Sequence, residues 1–427
     1  MQHHERLSQL FAYVRASTEA LAVSLSPEDQ LLQAMPDCSP TKWHRAHTTW
    51  FFEEFILKPR GILPVEPAYS FLFNSYYDAV GPRHPRPRRG MLSRPSCEEV
   101  RLYRQAVDAR MLELLHQSSE AELAALAPVL QLGLAHEEQH QELLLTDILN
   151  AFWSQPLQPS VRLTSVRPAS VRPASFVLGV EPAEPLRWHA YAGGVSWLGT
   201  SETGFCFDNE GPRHRVFLEP FELASRPISV GEVRAFIDAG GYRTPFLWLS
   251  EGWAWVQQHG HTAPLYWQQE AGSTQLFGVD GWREALHDEP AAHLTYYEAD
   301  AVARFLGARL PTEAEWEHAA ASGDPHQGNF REQGALRPLP ALELGPTPGQ
   351  LFGDVWEWTA SAYGSYPGFA PAAGAIGEYN GKFMINQLVL RGGSCFSPRG
   401  HLRASYRNFW PAHTAFQMTG ARLARTP

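Results

Sequence analysis

Cysteine is scarce in this chain, with four in 427 residues. Cys38, Cys97, Cys206 and Cys395 lie far apart, and no CxxC pair occurs. A zinc ribbon or a dithiol redox centre needs closely spaced cysteines, so the sequence argues against both. Isolated thiols are typical of proteins from a reducing compartment, and we predict a cytoplasmic location.

Positive charge and long apolar runs are also lacking. The formal net charge is −10, which argues against nucleic acid or an anionic membrane as the main partner. No apolar run reaches the roughly 18 residues that a membrane span requires. The first residues lack the basic start and apolar stretch of a secretory signal. We therefore expect small-molecule substrates, with no nucleic-acid and no membrane partner.

The length and the hydrophobic pattern predict two domains. Residues 1–153 carry apolar residues at three- and four-residue spacing, in segments near 4–24, 40–58, 96–117 and 120–153. This spacing predicts a four-helix bundle. The excursion between the second and third helices, residues 59–95, is long enough to suggest a functional loop.

The second half of the chain has a different character. A tandem Ser-Val-Arg-Pro-Ala repeat within residues 154–176 disfavours regular structure and predicts a linker. In residues 177–427, short β-like segments alternate with glycine, proline and asparagine turns, and helices are predicted near 229–238 and 296–307. We expect a loop-rich α+β domain there.

The strongest chemical signal is the string His136-Glu-Glu-Gln-His140 in the last predicted bundle helix. Residues four apart share one helix face, so both imidazoles can reach one ion. Alone, two histidines at this spacing are as easily explained by packing. The second helix adds a histidine flanked by aromatic residues, in Trp43-His-Arg-Ala-His-Thr-Thr-Trp50. Three neutral imidazoles suit ferrous iron, although they also suit zinc.

A metalloprotease is the competing interpretation of the same string. Glu137 occupies the position of the catalytic glutamate in an HExxH motif. The bundle setting and the distant third histidine argue against that interpretation.

The long loop contains a basic run and two adjacent tyrosines. Its prolines stiffen a segment in which arginines could clamp a carboxylate in bidentate geometry, and the candidates are Arg83, Arg86 and Arg88. A solvated basic turn is the alternative. Tyr76 and Tyr77 could donate a proton or hydrogen bond during oxygen chemistry, or could serve only in packing.

Several strings together resemble the sulfoxide synthases of ergothioneine biosynthesis, over essentially the whole chain. In the first half they are Ser-Pro-Thr-Lys-Trp-His from residue 39 and the HEEQH string. In the second half they are, in order, FDNEGPRH (207–214), RLPTEAEWE (309–317), GDVWEW (353–358) and LRGGS (390–394). The resemblance implies a DinB-like helical bundle followed by a domain similar to formylglycine-generating enzyme, the sulfatase-modifying-factor fold.

The resemblance also implies an activity and its residues. It implies that Fe(II) is bound by His47, His136 and His140, with O2 as co-substrate, and that Tyr76 and Tyr77 manage proton supply. The substrate would be hercynine, the betaine of histidine, and its contacts would be Gln139, Asn408, Phe409 and Trp410. The aromatic faces would hold the trimethylammonium group by cation–π attraction.

The sulfur or selenium donor is less clearly indicated. Relatives that use γ-glutamylcysteine often have an acidic residue shortly after the Arg-Asn pair, where this chain has Phe409-Trp410-Pro411. Free cysteine is therefore the expected donor. A selenoneine synthase, joining a selenosugar to hercynine on the same fold, is the alternative.

Three other classes of protein fit this sequence less well. A DinB-like metal-dependent thiol transferase would not need the large aromatic second domain. A formylglycine-generating oxidase needs paired C-terminal cysteines, and Cys395 has no near neighbour in sequence. A pure binding module would leave the three histidines unexplained.

Overall fold

The computed structural model describes residues 2–161, 186–201, 204–270, 273–341 and 345–427. The chain forms two compact units, one of Met1–Val166 with Pro371–Tyr379 and the other of Arg167–Ala370 with Asn380–Pro427. Part of the predicted linker, residues 162–176, lies outside the described residues. The segment Pro371–Tyr379 belongs to the first unit, whereas the sequence pattern placed it in the second domain.

The described part of the first unit is helical. Its α-helices are α1 (Gln2–Ala22), α2 (Thr41–Phe52), α3 (Tyr69–Phe73), α4 (Cys97–Gln117) and α5 (Glu120–Ser154). A π-helical segment, Glu53–Leu57, continues α2. Helix α2 packs on α4 and α5, and α1 also packs on α4 and α5. These contacts make the predicted four-helix bundle. The short helix α3 lies within the long loop.

Local sequence signals fix where the two long helices begin. The Ser96 hydroxyl accepts from the backbone N–H of Glu99, and the Glu99 carboxylate accepts from the N–H of Ser96. Ser119 and Glu122 make the same reciprocal pair at the start of α5. Each pair satisfies two backbone donors that the first helical turn leaves unpaired.

The second unit is built around a mixed sheet. Its described strands are β1 (Trp188–Tyr191), β2 (Gly194–Leu198), β3 (His214–Leu218), β4 (Phe221–Pro227), β5 (Trp267–Glu270), β6 (Ser273–Gly278), β7 (Gly281–Glu284), β8 (Trp356–Ala362), β9 (Leu388–Arg391), β10 (Asn408–Trp410) and β11 (Thr419–Arg425). Six of them form a sheet in the order β1-β4-β11-β8-β9-β10. Neighbouring strands in it are antiparallel except for the parallel pair of β11 and β8. Strands β2-β3 and β5-β6-β7 form smaller antiparallel sheets.

Four helices accompany these strands among the described residues. They are α6 (Val230–Asp238), α7 (Ser250–His259), α8 (Tyr296–Phe305) and α9 (Glu313–Ala320). Helices α6 and α8 match the two predicted helices, and α7 and α9 were not predicted. The expected fold class, a helical bundle followed by an α+β domain, is confirmed.

Buried ion pairs hold the loops of the second unit in place. Arg422 on β11 pairs with Glu357 on β8, with nitrogen to oxygen distances of 2.8–3.1 Å. The same guanidinium donates to the backbone carbonyls of Ala224, Gly349 and Gln350. Because regular sheet is limited here, such arginines provide hydrogen bonds that loop carbonyls would otherwise lack.

In the ranges that the structure describes, no helix has both the length and the apolar character needed to span a membrane.

Candidate metal centre

The three histidines implicated by the sequence converge in the first unit. His47 comes from α2, and His136 and His140 come from successive turns of α5. One ring nitrogen of each lies within 4.8 Å of those of the other two. The Nε2 atoms of His47 and His136 are 3.1 Å apart. The helical spacing therefore brings His136 and His140 together, and α2 adds His47 to the cluster.

A glycine allows the two helices to approach closely enough for this convergence. Gly133 lies one turn before His136 on α5, against Phe51 and Phe52 from the end of α2. A Cβ at this position would lie 2.7 Å from Cε1 of Phe52 and 3.0 Å from ring atoms of Phe51. Both rings are fully buried and have no room to move aside. The missing side chain thus sets the distance between the backbones that carry His47 and His136.

The remaining ring nitrogens show which atoms can face an ion. The Nδ1 atom of His47 lies 2.6 Å from the backbone carbonyl oxygen of Phe73, to which it donates. The Nδ1 atom of His140 lies 2.8 Å from Nδ1 of His44. In both rings the Nδ1 atom has a protein partner, so Nε2 is left to bind a metal.

Burial keeps all three imidazoles neutral. It lowers the pKa of His136 from 6.5 to about 3, and it holds the pKa of His47 and of His140 well below 6.5. The neighbouring histidines lower the pKa of His47 and His140 further. The neutral form, with an available lone pair, is the form that coordinates a metal ion.

The spacing of His47 and His136 fits a divalent transition metal. Two imidazole nitrogens about 2.1 Å from one ion and at right angles to each other are separated by about 3.0 Å. The 3.1 Å between Nε2 of His47 and Nε2 of His136 matches that separation. Three nitrogen ligands from one side would leave further coordination positions for substrates.

Glu137 is directed into the bundle core, not towards a reaction site. Its carboxylate is fully buried and accepts hydrogen bonds from Arg15 at 2.7 Å, Thr18 at 2.6 Å and Arg104 at 2.9 Å. The charges of Arg15 and Arg104, with these hydrogen bonds, outweigh the effect of burial and lower the pKa of Glu137 to about 2. A metalloprotease glutamate must act on a metal-bound water, and Glu137 is instead fixed in an ion-pair network.

Tyr76 and Tyr77 stack on each other, with ring centroids 4.6 Å apart and hydroxyl oxygens 3.5 Å apart. Tyr77 is fully buried, and its ring lies 5.7 Å from that of Trp50, which stacks on His47. Burial, with the nearby phenols of Tyr76 and Tyr379, raises the pKa of Tyr77 well above 10. Its hydroxyl therefore keeps its proton at any physiological pH.

Sequence reasoning missed a third tyrosine, Tyr379. Its ring centroid lies 5.9 Å from that of His136 and 6.3 Å from that of Tyr76. Its hydroxyl donates to the side-chain oxygen of Gln139, which lies between the two histidines of α5 in sequence. The string Gly-Glu-Tyr-Asn around it has no periodicity or motif that would have pointed to the bundle.

The segment that carries Tyr379 is attached to the tyrosine loop by its neighbour. The carboxylate of Glu378 accepts from the backbone N–H groups of Asp78 and Ala79, at 2.9 and 2.8 Å. These two bonds join residues that are 300 and 299 positions apart in sequence. Glu378 therefore helps to hold Tyr379 beside His136.

The three arginines predicted as a clamp lie at the surface of the first unit. Arg83 pairs with the carboxylate of Asp78, Arg86 donates to the carbonyl of Asp37, and Arg88 is exposed. Their binding of a carboxylate stays a prediction.

Arg89, the next residue, differs from them in being 2% exposed. Its guanidinium lies 3.4 Å from the ring centroid of Trp43 and donates to the hydroxyls of Ser39 and Ser75. Its Nε atom has no hydrogen-bond partner within the described ranges. Burial and the charge of Arg86 lower the pKa of Arg89 well below 12.5. A buried cation without a paired carboxylate is costly, and a bound anion would relieve that cost.

The predicted hercynine contacts Asn408, Phe409 and Trp410 form strand β10 in the second unit. The Phe409 ring stacks on Tyr363 at 4.0 Å, and Trp410 packs edge-on against Phe416 at 5.4 Å. Strand β10 pairs with β9, which fixes all three residues in the sheet. Their contact with substrate stays a prediction.

Comparisons with known proteins agree with this architecture. Residues 10–144 match the model of the DinB superfamily, and residues 190–340 and 348–427 match the sulfatase-modifying factor enzyme 1-like domain. The hercynine oxygenase of Mycolicibacterium thermoresistibile is 34% identical, over 91% of this chain and 88% of the relative. Those of Mycolicibacterium smegmatis and Mycobacterium tuberculosis are 33% and 32% identical, over 98% and 99% of both chains respectively. The chain therefore belongs to the hercynine oxygenase family of enzymes.

Proposed function

We propose that this chain is a mononuclear non-haem Fe(II) enzyme that uses O2 to join a sulfur atom to imidazole C2 of hercynine. The observation that carries the proposal is the convergence of three neutral imidazoles, from His47, His136 and His140, in a chain related to hercynine oxygenases. Bound Fe(II) would supply a position for the donor thiolate and the means to activate O2.

The proposed reaction balances with O2 as the oxidant. Hercynine, a thiol RSH and O2 give the C2 sulfoxide of hercynine and one water. The C2–H and S–H bonds break, and a C–S bond forms. One oxygen atom of O2 becomes the sulfoxide oxygen, and the other is reduced to water with the two released protons.

The first unit offers proton donors for this oxygen chemistry. Tyr76, Tyr77 and Tyr379 form one cluster of phenols, and Tyr379 is the member in ring contact with His136. A phenol that keeps its proton at neutral pH can donate it, or a hydrogen bond, to an oxygen that gains negative charge. We propose that these hydroxyls supply the proton that the reduced oxygen requires.

We propose that hercynine is held by polar and aromatic side chains. Gln139 lies on α5 next to the proposed metal ligand His140, and its side-chain oxygen accepts from the Tyr379 hydroxyl. Asn408 is proposed as a second polar contact. Phe409 and Trp410 offer aromatic faces to the trimethylammonium group, an attraction of about 1–2 kcal/mol when water is excluded.

Cysteine is the proposed sulfur donor. The donor carries a carboxylate, and the arginine run supplies groups to bind it. Arg89 is the member that is buried without a carboxylate partner in the described structure. After Asn408, the residues Phe409 and Trp410 offer no acidic group to the free amine of a longer γ-glutamyl donor. A selenosugar is the alternative donor, because its hydroxyls can also accept hydrogen bonds from arginine.

A competition assay tests the reaction and the donor together. Iron-loaded enzyme would receive hercynine, O2 and equal amounts of cysteine, γ-glutamylcysteine and a selenosugar, with products identified by mass spectrometry. We expect the cysteine-derived sulfoxide to dominate. A dominant γ-glutamyl product would overturn the donor assignment, and a dominant selenium product would make the chain a selenoneine synthase. Absence of any C2-chalcogen product would refute the proposed function.

A further inference from the structure

A further histidine, His44, lies beside the candidate metal centre without belonging to it. His44 is 2% exposed and lies on α2, one turn before His47. Its Nδ1 atom is 2.8 Å from Nδ1 of His140, and its Nε2 atom is 3.0 Å from Oδ2 of Asp147. Asp147 lies on α5, two turns after His140. The helices that supply the three candidate ligands therefore also supply this pair.

The hydrogen-bonding capacity of each group fixes the direction of the chain of bonds. A carboxylate only accepts, so Nε2 of His44 carries the hydrogen that points to Asp147. A neutral His44 with that hydrogen has its lone pair at Nδ1, so Nδ1 of His140 is the donor in this arrangement. The hydrogen of His140 is then on Nδ1, and its Nε2 carries the lone pair that a metal ion requires.

Asp147 is itself held in place. Its Oδ2 atom accepts from the backbone N–H of Ser39 at 2.7 Å, just before α2 begins. Both ring nitrogens of His44 are occupied, one by Asp147 and one by His140. His44 thus has no nitrogen left to coordinate an ion. One of its two partners is the candidate ligand His140.

We propose that His44 and Asp147 are positioning residues that hold His140 in the tautomer and orientation needed for metal binding. The inference rests on the proposed metal site, and it holds whichever chalcogen donor is used. Partners of this kind fix the ring of a coordinating histidine and increase its basicity. The carboxylate, acting through His44, stabilises partial positive charge on His140 once a metal withdraws electron density from it. His47 has a backbone carbonyl in the equivalent place, from Phe73.

Metal affinity, measured without turnover, tests this inference. The full-length apo chain would be titrated with Co(II), a visible-absorbing substitute, and the dissociation constant and the absorption spectrum of the bound ion recorded. His44→Phe keeps a buried ring but removes both nitrogens. We expect it to weaken Co(II) binding roughly 10- to 100-fold and to change the spectrum. His44→Asn keeps an acceptor near the position of Nδ1 and should restore part of the affinity.

Two further variants separate positioning from general stability. Asp147→Asn removes the charge with little change of shape, and we expect a smaller loss of affinity in the same direction. His116→Phe changes an exposed histidine on α4 and should leave the affinity and the spectrum unchanged. Thermal unfolding of each apo variant shows whether it is folded, and Asp147→Asn carries the test if His44→Phe is not.

The outcomes that would overturn the inference are specific. Wild-type affinity and spectrum in folded His44→Phe, or in Asp147→Asn if that variant carries the test, would show that His140 needs no such partner. Absence of Co(II) binding by the wild-type chain would show that His140 is not a metal ligand, and the proposed role of the pair would then fail. Failure of the proposed reaction is a separate result, since it appears as missing product from an enzyme that still binds the metal.

Discussion

Adjacent residues on α5 point in different directions because a helix turns by about 100° per residue. The His136 ring faces the histidine cluster, whereas the next side chain, Glu137, faces Arg15 and Arg104 in the bundle core. The same string can thus supply a metal ligand and a structural anion. The metalloprotease interpretation fails at this level, because the glutamate is committed to two guanidinium groups.

Glu137→Gln tests this structural assignment. The change leaves two buried guanidinium groups without their shared counter-charge, and we expect a loss of about 3 kcal/mol in the free energy of unfolding. Co(II) affinity of the folded variant should stay near the wild-type value. Urea denaturation measures the first quantity, with the exposed Glu113→Gln on α4 as the control. Loss of metal affinity at unchanged stability would mean that Glu137 serves the metal site.

Phenylalanine substitutions test the phenol cluster. Each of Tyr76→Phe, Tyr77→Phe and Tyr379→Phe removes a hydroxyl and keeps most of the packing. We expect at least one to lower the synthase rate by a factor of about 10² to 10⁴, or to divert the enzyme towards oxidation of the thiol alone. Initial rates and product ratios measure the effect, with Tyr13→Phe on α1 as an exposed control. Unchanged rates and ratios in all three would assign the tyrosines to packing.

At the scale of elements, helix ends and helix faces are the most predictable features. The apolar spacing predicts α1, α2, α4 and α5, and the HxxxH spacing on α5 predicts two imidazoles on one face. Helix α9 was missed although Thr312 and Glu315 form a capping box, a signal present in the sequence. The parallel pairing of β8 with β11 joins segments about 60 residues apart, and no local pattern encodes it.

A capping carboxylate on α8 makes the second unit sensitive to pH. Glu298 is buried and accepts from the Tyr242 hydroxyl at 2.6 Å and from the N–H of Thr295 at 2.8 Å. Burial raises the pKa of its carboxyl from 4.5 to about 7, although these hydrogen bonds oppose the rise. The folded chain therefore holds a proton that the unfolded chain releases above pH 4.5. The stabilisation of the fold that this bound proton provides is complete below pH 4.5 and is lost as the pH rises to about 7.

Glu298→Gln should remove that dependence. Glutamine can cap the helix in the same way without titrating, so we expect the variant to gain stability relative to wild type between pH 4.5 and 7, by on the order of 3 kcal/mol. Urea denaturation across this range measures the difference. Glu315→Gln on α9 is the matched control. Hydrogen bonding to Arg309 lowers the pKa of Glu315 below 4.5, so that carboxyl stays ionised in both states between pH 4.5 and 7. A constant difference between Glu298→Gln and wild type would contradict the pKa.

At the scale of the whole molecule, the residues around the candidate metal site come from distant parts of the chain. The candidate ligands come from the first 140 residues, but Tyr379 beside them comes from a segment inside the second half of the chain. Local patterns identified the ligands because they repeat with the helix. They could not identify Tyr379, because its place depends on tertiary contacts such as those of Glu378 with the loop at Asp78 and Ala79.

The most direct test of the proposed reaction follows the hydrogen on imidazole C2. Iron-loaded enzyme would be given hercynine deuterated at C2, cysteine and O2, and the product mass would be measured beside that from His140→Ala. We expect the wild-type enzyme to form a sulfoxide that has lost the deuterium, and we expect His140→Ala to bind no iron and to form none. Products that retain the deuterium, or equal product from His140→Ala, would contradict C–S bond formation at an iron held by this histidine.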